Sequence, residues 1–149
     1  MNNLLLIVTI AGSRVALRAS AVEGVVELDT LIPVPRAAPH VAGLSALRSR
    51  VLTVIDCRRS LDLDPMDPAE VPEAVVAEVD GHHYALLVDL VKDVIEAQGE
   101  PSPIRAAMTA GWSRVSLGMI ETQEGPLLLV DVAALVAGPE PRQTSALVA

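Results

Sequence analysis

The chain is almost devoid of aromatic residues. Trp112 and Tyr84 are the whole complement, and phenylalanine is absent. Its core must therefore be built from Val, Leu, Ile and Ala, for which a 51% hydrophobic content over 149 residues gives ample material. That β-branched wealth favours strands. Lysine is nearly missing too: Lys92 is alone, and the net charge is −8. Such a balance excludes nucleic acid as a partner, because phosphate binding needs a basic surface. One cysteine, Cys57, excludes an internal disulfide and fits a reducing compartment. No apolar run approaches the ~20 residues of a spanning helix. The N-terminal "LLLIVTIAG" has no positive charge before it and arginines close behind it, so it reads as a buried strand and not as a signal peptide. Eleven prolines and nine glycines spread along the chain argue against long helices.

What is present is said twice. "VALRASAVEGVVEL", starting at Val15, returns as "YALLVDLVKDVIEA", starting at Tyr84. Val22-x-x-Val25 is answered by Val91-x-x-Val94, Pro33-x-Pro35 by Pro101-x-Pro103, and Gly43-Leu44 by Gly118-Met119. "LTVID", ending at Asp56, is answered by "LLLVD", ending at Asp131, and the glycine-to-aspartate interval is thirteen residues in both copies. So many matches in one order indicate duplication, with a period of roughly seventy residues, too long for a solenoid. Each copy reads as a strand pair, an extended proline-bearing linker and a hairpin ending at aspartate. Asp80-Gly81 is a hairpin turn signal, since both central residues must accept positive φ. Asp56 and Asp131 stand where each would cap a short helix. This predicts an all-β fold: two tandem five-stranded barrels packed on a shared aliphatic core, with short helices, which also explains strands apolar on both faces. The expected division is a first subdomain at about 1–66, a second at about 72–138 and a tail at 139–149, all within one domain. The acidic, proline-rich stretch at 62–73 connects the halves.

Candidate chemistry is sparse. No Gly-x-Ser-x-Gly, Walker, Rossmann or zinc pattern occurs. His82 and His83 are adjacent on a strand and point to opposite faces, so they read as exposed hairpin residues. His40 reads as a surface or packing residue. Cys57 reads as buried and inert, although Arg58 and Arg59 beside it could lower its pKa. No catalytic, cofactor or metal residue is expected, and the chain reads as a non-enzyme. Arg48 and Arg50 stand at a hairpin tip between apolar runs, either as a polar turn, with Arg48 ordering it through backbone carbonyls, or as a protein-binding edge.

The ordered motifs Val22-Glu-Gly-Val25, Pro33-Val-Pro35, Val41-Ala-Gly43-Leu44, Ala46-Leu47-Arg48-Ser49 and Thr53-Val54-Ile55-Asp56-Cys57-Arg58 resemble the CheW family of bacterial chemotaxis adaptors. The resemblance covers residues 4–137. It implies two SH3-like barrels and a non-catalytic cytoplasmic scaffold. The implied partners are the helical tip of a chemoreceptor and the regulatory domain of a CheA-type histidine kinase, with no cofactor and no membrane insertion. It places Val22, Val25, Leu44 and Arg48 at or near the receptor surface and gives Gly43 a backbone role in a turn. Glu100, Ile104 and Arg105 fall in a segment of array or kinase contacts, with the usual charges exchanged. Ala46, Ser49, Gly24 and Thr53 depart from the family pattern. A diverged module in another phosphorelay, or a thiol-dependent enzyme, are the competing readings.

Overall fold

The computed structural model describes residues 3–28, 30–65, 73–104 and 106–139. The first hairpin, β1 (Leu4–Ile10) and β2 (Ser13–Arg18), turns on Ala11-Gly12 at φ 51° and 83°. Its repeat, β6 (Ala74–Val79) and β7 (His82–Leu87), turns on Asp80-Gly81 at φ 52° and 81°. Two consecutive positive φ values match the right-handed twist of the flanking strands. Each copy continues through one more strand, β3 (Val22–Val26) or β8 (Leu90–Glu96). Each then closes with a hairpin, β4 (Val41–Leu47) and β5 (Arg50–Asp56), or β9 (Ser116–Thr122) and β10 (Gly125–Val130).

The strands form two five-stranded sheets, ordered β8-β1-β2-β10-β9 and β3-β6-β7-β5-β4. Each sheet takes one copy's opening hairpin and the other copy's remaining three strands. The sheets therefore do not follow the expected division at 66–72. The reason lies in the joint after the hairpin. A single 3-10 turn at Ala19–Ala21 carries the chain out of the first sheet, and β2 then pairs in parallel with β10. In the second sheet β5 pairs in parallel with β7. Beyond β8, Gln98 N–H donates to Glu121 O at 2.8 Å, joining the edge strands β8 and β9 of the first sheet. In the second sheet, Arg50 of β5 reaches Glu23 of the edge strand β3.

Strand alternation fills three apolar clusters. Leu5, Ile7, Ala16, Ile120 and Leu129 fill the first barrel, and Leu52, Val54, Ala74, Ala85 and Leu87 the second. The opposite faces, with Leu6, Val8, Val15 and Leu17 from one sheet and Ile55, Val75, Ala77 and Leu86 from the other, meet in a common core. That shared core is why neighbouring residues on one strand are apolar on both sides.

Three short helices join this core: α1 (Cys57–Ser60), α2 (Ala110–Val115) and α3 (Val132–Ala137). Asp56 caps α1 through Arg58 N and Arg59 N, and Asp131 caps α3 through Ala133 N. The helix after Asp56 is a single turn of four residues. Helix α2 has no counterpart in the first copy. It occupies the interval between the bridged residues Ser102 and Met119, whereas the matching bridge joins Ile32 to Leu44 over a shorter span. Those bridges also correct the proline alignment. Ile32 corresponds to Ser102, so Pro33 answers Pro103 and Pro35 has no partner.

Candidate partner-binding surface

The Val-x-x-Val spacing is odd for a strand, because residues three apart should face opposite ways. A β-bulge resolves it. Pairing between β3 and β6 shifts at Val22/Gly24, so Val22 lies opposite Ala77 and Val25 opposite Val75. Both partners belong to the shared-core face, and the bulge therefore turns both valines to one side. The same shift in β8 sets Val91 opposite Val8 and Val94 opposite Leu6.

From Val22 a row of paired residues crosses the whole sheet: Val22–Ala77, Ala77–Tyr84, Tyr84–Thr53 and Thr53–Leu44. Val22 and Leu44 thus share a row and a face but stand at opposite edges. Val25 is 38% exposed and Val51, near Leu44 on β5, is 63% exposed. Arg48 is exposed at the β4–β5 tip with φ 57° and bonds no described residue. It does not order the turn through carbonyls. The tip is tied to β3 by Arg50, whose Nη1 lies 3.4 Å from Glu23 Oε1. A separate cleft of about 220 Å³ is walled by Arg18 and Leu117 of the first sheet with Asp131 on one side, and by Glu78 and Val79 of the second sheet with Ala21 on the other; none of the row's residues lines it.

Gly43 lies inside β4 and not in a turn. At φ 154° it lets the strand approach Ile32, with which Leu44 exchanges two hydrogen bonds of 2.8 Å. A Cβ there would stand 2.4 Å from Ile32 O. Gly118 repeats the arrangement at φ 131°, with Ser102 O 2.7 Å from its Cβ position. Gly24 is different: nothing lies within 4 Å of its Cβ position, so a Cβ there would meet no neighbour. Of the second candidate group, Glu100 is exposed and Ile104 half-buried, while Arg105 lies outside the described residues.

Among the described residues, the alternative chemistry finds no site. Cys57 is fully buried, and burial pushes its thiol far above the ordinary value, with the charges of Asp56 and Asp89 adding to the effect. His40 is buried, where its Nε2 donates to Val136 O at 2.8 Å and its ring fills the space beside Gly138. His82 is exposed, whereas His83 is half-buried, near Glu23 and Glu78, with donor atoms all within 4.8 Å. The Arg50 guanidinium already neutralises Glu23 there.

Two polar clamps join residues far apart in the chain, one of them made by Arg58 at the end of the Thr53–Arg58 motif. Arg114 donates to Ala134 O and Ser60 O, both at 2.6 Å, tying α2 to the middle of α3 and to the C-terminal end of α1. Arg58 donates to both oxygens of Asp89, at 3.2 and 3.1 Å, and Asp89 also accepts from Gly12 N–H. Burial alone would raise the Asp89 carboxyl. The hydrogen bonds from Arg58 and Gly12, with the arginine's charge, outweigh it and hold the group below its usual value. Only spatial proximity, not spacing along the chain, reveals either clamp.

Residues 4–140 match the family model of the CheW-like domain. The chain belongs to the CheW-like family. A probable chemotaxis protein CheW from Rhizobium etli is 28% identical over 110 residues, covering 71% of this chain and 69% of that protein. The crystal structure of the scaffolding protein TtCheW from Thermoanaerobacter tengcongensis superposes with a TM-score of 0.74 at 19% identity, over 91% of this chain and 92% of that one. The fold expected from the repeat, two small barrels on one core, is the fold found. No helix among the described residues is long and apolar enough to cross a membrane.

Proposed function

We propose that this chain is a non-catalytic adaptor that couples the tips of chemoreceptors to a CheA-type histidine kinase, working in the cytoplasm at receptor arrays. The observation that carries the receptor half is the bulge in β3. It turns Val22 and Val25 to the face that also bears Leu44. A helical hairpin would lay apolar anchors on that face, the helix-in-groove mode of recognition, and Arg48 at the hairpin tip would supply donors at its edge. Glu100 and Ile104 belong to the kinase or array side. Their charge arrangement, with Arg105, would set partner choice by like-charge repulsion.

The test is capture of partners from the organism's own extract by wild-type protein, by Val22→Asp and by Arg48→Glu. The expected result is recovery of a kinase and a receptor by the wild type and loss of the receptor alone by folded variants. Recovery of neither partner by the wild type would sink the adaptor reading.

A further inference from the structure

The bulge in β3 leaves one residue out of the pairing. Val22 lies opposite Ala77 and Gly24 opposite Val76, so Glu23 is the extra residue of the bulge. On the neighbouring strands Glu78 of β6 stands directly opposite His83 of β7. The donor atoms of Glu23, Glu78 and His83 all lie within 4.8 Å of one another. His83 Nε2 is 3.4 Å from Glu23 Oε1, with the imidazole side chain 21% exposed. Three adjacent strands thus bring two carboxylates and one imidazole to a single point. The duplicated sheet shows that the fold does not require them. The bulge in β8 leaves out Lys92, between Val91 opposite Val8 and Asp93 opposite Ile7, and the first hairpin pairs Thr9 with Arg14. The three corresponding places there hold a lysine, a threonine and an arginine, and Arg14 is ion-paired with Glu124.

We infer that Glu23, Glu78 and His83 form a binding site for a divalent transition-metal ion of the zinc class. This site stands apart from the adaptor reading and is one for binding, not for catalysis. Imidazole with carboxylates suits zinc and its neighbours, whereas calcium and magnesium take oxygen ligands in larger number. Zinc bonds to histidine and glutamate are about 2.0–2.2 Å long, so two ligand atoms on a tetrahedron stand about 3.4 Å apart. The His83–Glu23 separation meets that edge. Glu78 is exposed and comes to the same ion by a side-chain rotation. Three protein ligands leave a fourth position to water. Two carboxylates balance the double charge of the ion. Arg50 is the competitor, because its Nη1 stands 3.4 Å from the Glu23 oxygen nearest His83. The side chains of that pair are 55% and 40% exposed, and an ion pair in such a setting is weak. A bound ion takes Glu23 from Arg50 and so unties the β4–β5 tip from β3.

The test is titration of the untagged, chelator-treated chain with zinc by calorimetry and with cobalt by visible absorption, where the tetrahedral ion absorbs far more strongly than the hydrated one. The expected result is one zinc per chain, an intense cobalt band, and a shift of the His83 ring-nitrogen signals larger than those of His82 and His40. His83→Gln and Glu78→Gln should each weaken zinc binding by about tenfold or more. His82→Gln should bind as the wild type does. Arg50→Gln, which frees Glu23, should tighten binding several-fold, a gain that misfolding cannot imitate. Zinc binding by the wild type no tighter than about 1 mM would overturn the site. So would an equal loss in His82→Gln and His83→Gln, or an Arg50→Gln affinity no better than that of the wild type.

Discussion

A methyl group added at Gly43 would meet a backbone oxygen, not a yielding side chain, and the backbone there sits at φ 154°. Gly43→Ala should therefore cost about 2 kcal/mol or more in urea unfolding. Gly24→Ala, in open space and ordinary backbone, should be neutral or stabilising by roughly 0.5 kcal/mol. A similar loss for both would mean that close approach to Ile32 is not what the glycine serves. Cys57 gives a second expectation at this scale. Its buried, proton-retaining thiol should resist alkylation at neutral pH in native protein and react promptly in urea. Rapid native labelling would restore the thiol-enzyme reading. At single positions the sequence was informative where chemistry is local: the aspartate caps and the Asp80-Gly81 turn follow from one residue's own hydrogen bonds and φ. Arg114 was opaque, because its acceptors, Ser60 and Ala134, are 54 and 20 residues away.

Between elements, the two clamps make distinct demands. Arg114→Met should destabilise by about 1–3 kcal/mol, since it strips charge-assisted bonds from Ser60 O at the end of α1 and from Ala134 O, which keeps its bond from Gly138 N–H. The measured loss should fall below 1 kcal/mol only if water replaces the guanidinium. Asp89 governs acid behaviour. Its folded pKa is depressed, so its contribution is complete above the unfolded value of about 3.9 and is lost as pH falls through the lower folded value. Asp89→Asn should lower urea midpoints at pH 7, and the two proteins should converge only as the pH falls through the depressed folded value of Asp89. Parallel pH profiles would show that the Arg58–Asp89 pair does not titrate with folding. Most strands were visible as alternating apolar runs. Strands β3 and β8 were hidden inside the linker because a bulge gives their valines a spacing of three, and α2 was hidden because Gly111 interrupts a six-residue helix. That glycine is needed: its Cβ position lies 2.2 Å from Leu61 O.

At the scale of the molecule, the repeat disclosed how many units there are but not how they pair. Duplication along a chain suggests two side-by-side barrels, and sequence matching cannot see that each opening hairpin is seated in the other copy's sheet. The exchange has a measurable result. Fragments 1–72 and 73–149 should each lack stable structure alone, because neither contains a complete sheet, and should regain β-sheet circular dichroism when mixed. Independent folding of either fragment would contradict the interleaved order. The intact protein should unfold in one transition, since both sheets contribute a face to one shared apolar core.

The interleaving also bears on how such a molecule could come to have two different faces. A lone unit of this kind could complete its sheets only by clasping a twin, and every substitution in the pair would then be felt at two places at once. Joining the twins into one polypeptide ends that constraint. An insertion such as the one carrying Trp112 can wall off one copy's face while its sibling, bearing Leu44, stays open.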